Sequence, residues 1–161
     1  MSKSKDQILA LLDREAIRDL PLRYCDCVWR DDIASLVKLF AKDGEFVIVI
    51  DGKETSAKGH AALASFYRHG LEIGPRPFIH NHVFEITGDK QAHGRCYLDL
   101  RSAKNNMEIM GAGHYADTYV KVKGEWKFER RYFTALRIDE SPIDESPTAP
   151  AKPTKAARPR K

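Results

Sequence analysis

The side chains in this sequence that could move a proton or hold a developing anion are a few tyrosines, two histidines, one arginine and two carboxylates. Tyr24 closes a stripe of Ile8, Leu12, Ala16 and Leu20 at four-residue spacing, so it is expected to face the interior. There it is either a core ring whose hydroxyl needs a partner or a donor that orients a substrate oxygen. Asp26 lies one helical turn before Trp29 and reads as an acid–base candidate, with a solvated surface carboxylate as the plain alternative. Trp29 fills volume or stacks on an aromatic ligand. His80 and His82 are two apart in a predicted strand, so they are expected to share a face, with Asn81 on the other. A bulge in that strand would change how His80 faces. Two histidines at this spacing could begin a metal site, but no third ligand is identifiable, so neither a metal nor another cofactor is expected. Each histidine is otherwise a structural or surface residue, and Asn81 can bond backbone as readily as ligand.

Further along, Tyr97 alternates with Arg95, Asp99 and Arg101 on one strand face, against Cys96, Leu98 and Leu100 on the other. Cys96 reads as a small buried hydrophobe. Tyr115 and Asp117 share a face of the next strand. The guanidinium of Arg131 could hold a carboxylate, a phenolate or a leaving oxygen anion, or could form a buried pair with Asp117. The expected catalytic set is Tyr24, Asp26, His80 and Arg131. The expected substrate contacts are Trp29, Asn81, Tyr97 and Tyr115.

These residues must be positioned by helices first and strands after. Ser4 and Gln7 form the pattern of a capping box, and the apolar stripe predicts a helix behind it. Pro21 is expected to kink or divide that helix. Asp31 and Asp32 read as the N-cap of a second helix carrying Ile33, Leu36, Val37 and Phe40. Glu45 to Ile50 is a strand, ended by the Asp51-Gly52 turn. A third helix fits Gly59 to His69. Four strands then follow, over 78–87, 91–101, 107–122 and 125–138. The result is an α+β domain in which N-terminal helices cover one face of a bent antiparallel sheet.

The chain has 161 residues, 42% hydrophobic and 31% charged, with a formal charge of +4. The last 16 residues hold five basic side chains and no acid, so the rest carries −1. The basic balance belongs to that Pro-, Ala- and Lys-rich stretch, which is expected to be a disordered tail over 141–161 beyond a domain of 1–140. It gives no ground for nucleic-acid binding by the folded part. Three cysteines, the absence of a signal-like segment and no long apolar run point to a reduced, cytoplasmic protein without a membrane span.

The run Arg23-Tyr24, Asp32, Leu36, Leu39-Phe40, Asp43 and Phe46 resembles the opening of SnoaL-like proteins. So do Gly59-His60, Asn81, Gly88-Asp89 with Ala92, Gly113 with Tyr115 and Asp117, and Gly124 with Trp126-Lys127-Phe128 and Arg131. Their superfamily includes nuclear transport factor, ketosteroid isomerase, scytalone dehydratase and hexachlorocyclohexane dehydrochlorinase. The resemblance covers about residues 6 to 136. It implies a cone-shaped curved sheet around a long helix, an internal apolar pocket, and assembly into dimers or trimers. It also implies that Arg131 matches the dehydrochlorinase arginine and that Tyr115 stands where scytalone dehydratase places a pocket amide. In that branch a helix aspartate and a strand histidine form the acid–base dyad. Here those positions are Trp29 and Pro77, so the dyad is missing.

Two readings of function follow. The first is a cofactor-independent lyase that eliminates water or a small carbonyl such as formaldehyde from an apolar, oxygenated, aromatic or polycyclic small molecule, by acid–base chemistry in a dry pocket. The second is a non-catalytic small-molecule binding or accessory protein, for which the missing dyad argues. Nucleic-acid association through the tail is disfavoured, because its basic residues are not interleaved with aromatics.

Overall fold

The computed structural model describes residues 3–139. The proposed tail, 141–161, lies outside the described residues. Three helices are followed, with one hairpin interposed, by four long strands: α1 (Lys3–Trp29), α2 (Ile33–Lys38), β1 (Phe40–Ile50), β2 (Lys53–Lys58), α3 (His60–Leu71), β3 (Pro75–Gly88), β4 (Gln91–Ser102), β5 (Ile109–Val122) and β6 (Glu125–Ile138). The helices pack against one face of a curved, unclosed six-stranded sheet of order β2-β1-β6-β5-β4-β3. Four of the five strand pairings are antiparallel, as expected. The pairing of β1 with β6 is parallel, which the intervening strands and α3 make possible as a long crossover.

Local chemistry accounts for the joints. Asp51 and Gly52 both have positive φ, 50° and 75°, as a two-residue hairpin turn requires. Asp32 caps α2, its Oδ1 accepting from the Ser35 amide at 3.0 Å. Two expectations for α1 are corrected. Pro21 does not divide it: the residue is buried inside one unbroken 27-residue helix. The helix already includes Lys3, so Ser4 sits in the first turn and is not the cap.

The apolar stripe of α1 also divides. Ile17, Leu20, Tyr24, Cys27 and Val28 are buried, whereas Ile8, Leu11 and Leu12 are exposed. Steps of four residues advance about 400°, so each adds ~40° of drift. Four steps from Ile8 to Tyr24 accumulate ~160°, nearly the opposite side of the helix. The mid-section is pinned to the far end of β5 and β6 by Asp13, which accepts from Lys121 Nζ at 2.6 Å and from Trp126 Nε1 at 3.0 Å.

The core lies between α1, α3 and the concave sheet face. It is rich in rings: Tyr24, Phe40, Phe46, Tyr67, Tyr115, Tyr119, Trp126, Phe128 and Phe133 are all buried. Among the described residues no helix is long and apolar enough to cross a membrane.

Candidate functional site

Register places the inward side chains in rows across the sheet. One row holds Phe84, Gly94, Asp117, Arg131 and Phe46; the next holds His82, Cys96, Tyr115, Phe133 and Ile48. Arg131 is fully buried, 0% exposed, with its cross-strand partner Asp117 also buried. Their Nε···Oδ1 separation is 3.5 Å, close enough for an ion pair but without hydrogen-bond geometry, so Arg131 Nε and Asp117 Oδ1 stay without a hydrogen-bond partner. The guanidinium carbon lies 3.6 Å from the ring centre of Tyr115, 4.1 Å from that of Tyr24 and 4.6 Å from that of Phe128. These three π faces offset part of the cost of burying the charge. Arg131 Nη2 reaches Cys96 Sγ at 3.5 Å, and among the described residues Nη1 has no acceptor.

Around this cation the hydroxyls are kept protonated. Tyr24 donates to the Tyr67 hydroxyl at 3.1 Å. Burial pushes the ionisation of Tyr24, Tyr67 and Tyr115 upward, against the pull of Arg131. Asp117 is raised to about 6 by desolvation, opposed by Arg131 and by the Tyr119 hydroxyl. Burial is the largest single influence and would lower Arg131, but Asp117, together with Cys96, Tyr115 and Tyr24, outweighs it and holds the guanidinium charged. At neutral pH the pair is therefore Arg⁺–Asp⁻, net neutral.

The candidate residues fall into three groups. Tyr24, Tyr115 and Arg131 come together inside. Trp29 sits at the rim, 40% exposed, donating from Nε1 to the Pro77 carbonyl at 2.9 Å. The two positions of the absent dyad thus touch each other, one as donor and one as acceptor, and Phe78 packs edge-on against the indole at 5.2 Å. Asp26, His80, Asn81 and Tyr97 lie on the outside and are not brought to the Arg131 cluster. Asp26 is a surface carboxylate paired with Arg30 at 2.9 Å. His80 pairs with Asp99 at 3.0 Å on the surface. Asn81 and Tyr97 line a broad open groove of about 1020 Å³ on the outer sheet face, with Glu54, Arg95, Arg130 and Tyr132.

The expectation that His80 and His82 share a face is overturned. Ile79 pairs with Leu98 and His82 with Cys96, so β3 spends three residues where β4 spends two. The extra residue is a bulge that leaves His80 and Asn81 exposed and turns His82 inward. His82 Nε2 lies 3.0 Å from the Tyr119 hydroxyl, which itself lies 3.2 Å from Asp117 Oδ2. The inward residues that sequence reasoning missed as a set are His82, Tyr119 and Tyr67. The signal for His82 was present: Pro77 and Ile79 are apolar at odd positions, Phe84 and Ile86 at even ones. Such a change of parity within one strand requires a bulge. Among the described residues no group of three or more histidines, cysteines or carboxylates is placed to hold a metal.

The SnoaL-like domain family matches residues 9–132, which is most of the folded chain and includes every member of the inner cluster. The chain belongs to the SnoaL-like family. Solved structures agree on the fold. An NTF2-like protein with a cystatin-like fold from Novosphingobium aromaticivorans is 25% identical, with a TM-score of 0.71 over 82% of this chain and 87% of that one. LinA is 20% identical with a TM-score of 0.71, over 81% and 90% of the two chains. A candidate scytalone dehydratase from N. aromaticivorans is 22% identical with a TM-score of 0.69, over 81% and 89%. No curated protein matches this SnoaL-like sequence closely.

Proposed function

We propose that this SnoaL-like protein is a lyase that needs no cofactor and acts on an apolar, oxygenated small molecule at the concave side of its sheet. The observation that carries the reading is Arg131 Nη1, a fully buried charged donor with no acceptor, caged by Tyr24 and Tyr115. Buried donors are satisfied as a rule, and an orphan on a cation is costly. A carbonyl, phenolic or leaving-group oxygen that gains negative charge in the transition state would satisfy it, at the moment when the interaction is worth most. Tyr24 and Tyr115, held protonated, place hydroxyls beside it, that of Tyr24 already donating to Tyr67. The Trp29 end is the natural entrance. There the half-buried Ile79, Leu100, Ala135 and Ile138 surround the core, and Leu100 stands opposite Pro77 in the register. The likeness in fold to LinA and to the candidate scytalone dehydratase is consistent with elimination chemistry.

One observation favours the second reading, a binding or accessory protein. The indole-to-carbonyl bond between Trp29 and Pro77 fills both positions that carry acid–base groups in the dehydratase branch. Incubating the protein with hydroxylated aromatic and polycyclic compounds, and following loss of water or release of formaldehyde by mass spectrometry, separates the two. Turnover that Arg131→Met abolishes supports the lyase. Saturable binding without turnover at any pH from 5 to 9 supports the binder. The same proposal includes assembly into dimers or trimers, read by light scattering.

A further inference from the structure

Beside the Arg131–Asp117 pair, whose Nε and Oδ1 face each other, the cluster holds an orphan acceptor. Among the described residues His82 Nδ1 is buried and has no hydrogen-bond partner. The chain of contacts on the other side of the ring fixes what that nitrogen is. The Tyr119 hydroxyl has one proton, and it lies between His82 Nε2 and an oxygen of the ionised Asp117 carboxylate, which can only accept. Tyr119 therefore donates to Asp117 and accepts from His82, which places the imidazole proton on Nε2 and a bare lone pair on Nδ1. The ring is held there on purpose-made ground. A Cβ at Gly94 would come within 3.1 Å of Nε2, and Phe84 lies alongside at 5.3 Å between ring centres. Burial, with Arg131 and Arg18 nearby, lowers the ring's pKa to about 4, so Nδ1 remains an acceptor throughout the neutral range.

We propose that His82, and not His80, is the ring nitrogen this site presents to its ligand: Nδ1 accepts from an O–H or N–H of an uncharged small molecule whose neighbouring oxygen takes Arg131 Nη1. This rests on the reading of the Arg131 cluster as the ligand site. Arg131 Nε and Asp117 Oδ1 face each other; the other two orphans, His82 Nδ1 as acceptor and Arg131 Nη1 as donor, are linked through Cys96, which pairs with His82 across the strands and touches Arg131 Nη2. The ligand is uncharged because Asp117 already neutralises Arg131, and a third buried charge would have no counterion. Asp117 and Tyr119 act as positioning residues: they hold both orphans in their states without meeting the ligand.

Three near-isosteric probes test this on the full chain. Benzamide offers an N–H donor and a carbonyl, acetophenone the carbonyl alone, and benzoate an anion. Calorimetry is expected to show benzamide binding at least about tenfold tighter than acetophenone, the worth of one well-made buried hydrogen bond, and benzoate weakest. The His82 Nδ1 resonance in ¹⁵N-labelled protein should read as the Nε2–H tautomer and move on adding benzamide. In His82→Phe the preference for benzamide is expected to collapse to less than about threefold. Tyr119→Phe, which leaves the histidine in place but frees its tautomer, should do the same and so covers a poorly folded His82 variant. Arg131→Met should weaken benzamide and acetophenone alike. A preference for benzamide that survives both His82→Phe and Tyr119→Phe, an Nδ1 resonance unmoved by benzamide, or benzoate as the tightest probe overturns the inference while Arg131-dependent binding keeps the site. Binding of neither neutral probe, or binding indifferent to Arg131→Met, overturns the site and this inference with it.

Discussion

Arg130 and Arg131 are neighbours in β6 and point to opposite faces of the sheet. Arg130 reaches Glu45 at 3.2 Å and Glu54 at 3.9 Å, and lies 4.8 Å from the ring centre of Tyr132. Arg131 has Asp117 at 3.5 Å and three rings within 5 Å. The inventories are nearly the same, a guanidinium with carboxylate and aromatic neighbours. Water separates them: the Arg130 side chain is 45% exposed and that of Arg131 is not exposed at all. On the outer face, solvent screens each ion pair and supplies any missing hydrogen bond. On the inner face every unmet donor or acceptor persists, and the ionisation of each tyrosine, carboxylate and imidazole moves. A chemical site here is thus a property of the face more than of the residue types.

The strongest way to break that contrast is Arg131→Met. It leaves Asp117 buried without a counterion, and a loss of about 3–5 kcal/mol in chemical denaturation is expected. Turnover per folded molecule should fall at least about tenfold, or ~1.4 kcal/mol of transition-state stabilisation. Pairing it with Asp117→Leu should restore much of the stability and none of the activity. Activity lost only in step with unfolding would make Arg131 a structural ion pair. Tyr24→Phe comes next. It keeps the ring over Arg131 and removes one hydroxyl, so about 1 kcal/mol of stability and again at least about tenfold in turnover are expected to be lost. Full activity in both variants would exclude the cluster as the site.

Acid titration sharpens the same comparison. The lowered pKa of His82 means the unfolded chain takes up a proton between about 6.5 and 4 that the folded one refuses, so this contribution to stability is lost as pH falls through that window. Asp117 has the opposite sign. Its folded pKa is raised from 3.8 to about 6, so the folded state binds the extra proton and stability is lost as pH rises through that range. The two largely offset. Asp117→Asn removes one side of the balance, and its melting temperature should fall more steeply than the parent's between pH 6.5 and 4.5. Parallel curves would show that the two groups do not titrate as described. The smallest effects belong outside: Arg130→Ala, His80→Gln, Asp26→Asn and Tyr97→Phe are each expected to change stability by less than about 0.5–1 kcal/mol and turnover by less than about twofold. A large loss in Arg130→Ala or Tyr97→Phe would move the site to the outer groove, which both residues line.

Much of this arrangement was legible in the residues. The alternation of Cys96, Leu98 and Leu100 against Tyr97 and Asp99, and of Tyr115 with Asp117, sorted β4 and β5 correctly between faces, because a strand's period is fixed at two. Resemblance placed Arg131 at the candidate site and the apolar stripe of α1 placed Tyr24 there, and both face the interior. Helix α1 was harder to read: a four-residue repeat looks like one stripe on paper but winds around a helix of 3.6 residues per turn, so Ile8 and Tyr24 part company. Asp26 and His80 were chosen for their chemical type and their closeness in sequence to the vacated dyad positions. Neither feature measures burial. His82 was passed over because the bulge was weighed only for how it would turn His80, and Tyr119 and Tyr67 because their value lies in partners 37 and 43 positions away.

The bulge at His80 and Asn81 bears on how such a chain changes over generations. Inward residues are odd-numbered before it and even-numbered after it, so the segment reads as two in-phase pieces joined by one supernumerary residue. Losing Asn81 would restore a regular ladder and leave Ile79, His82 and every inward residue beyond them facing as they do now. Losing Val83 instead would also restore a regular ladder with Ile79 and Phe84 inward, but it would turn His82 to the outer face and Asn81 to the inner one. Relatives of this length class should therefore tolerate a gap at this one point of β3 and almost nowhere else along it. The histidine that faces the interior can be gained or lost by a single insertion or deletion, with no amino acid substituted at all.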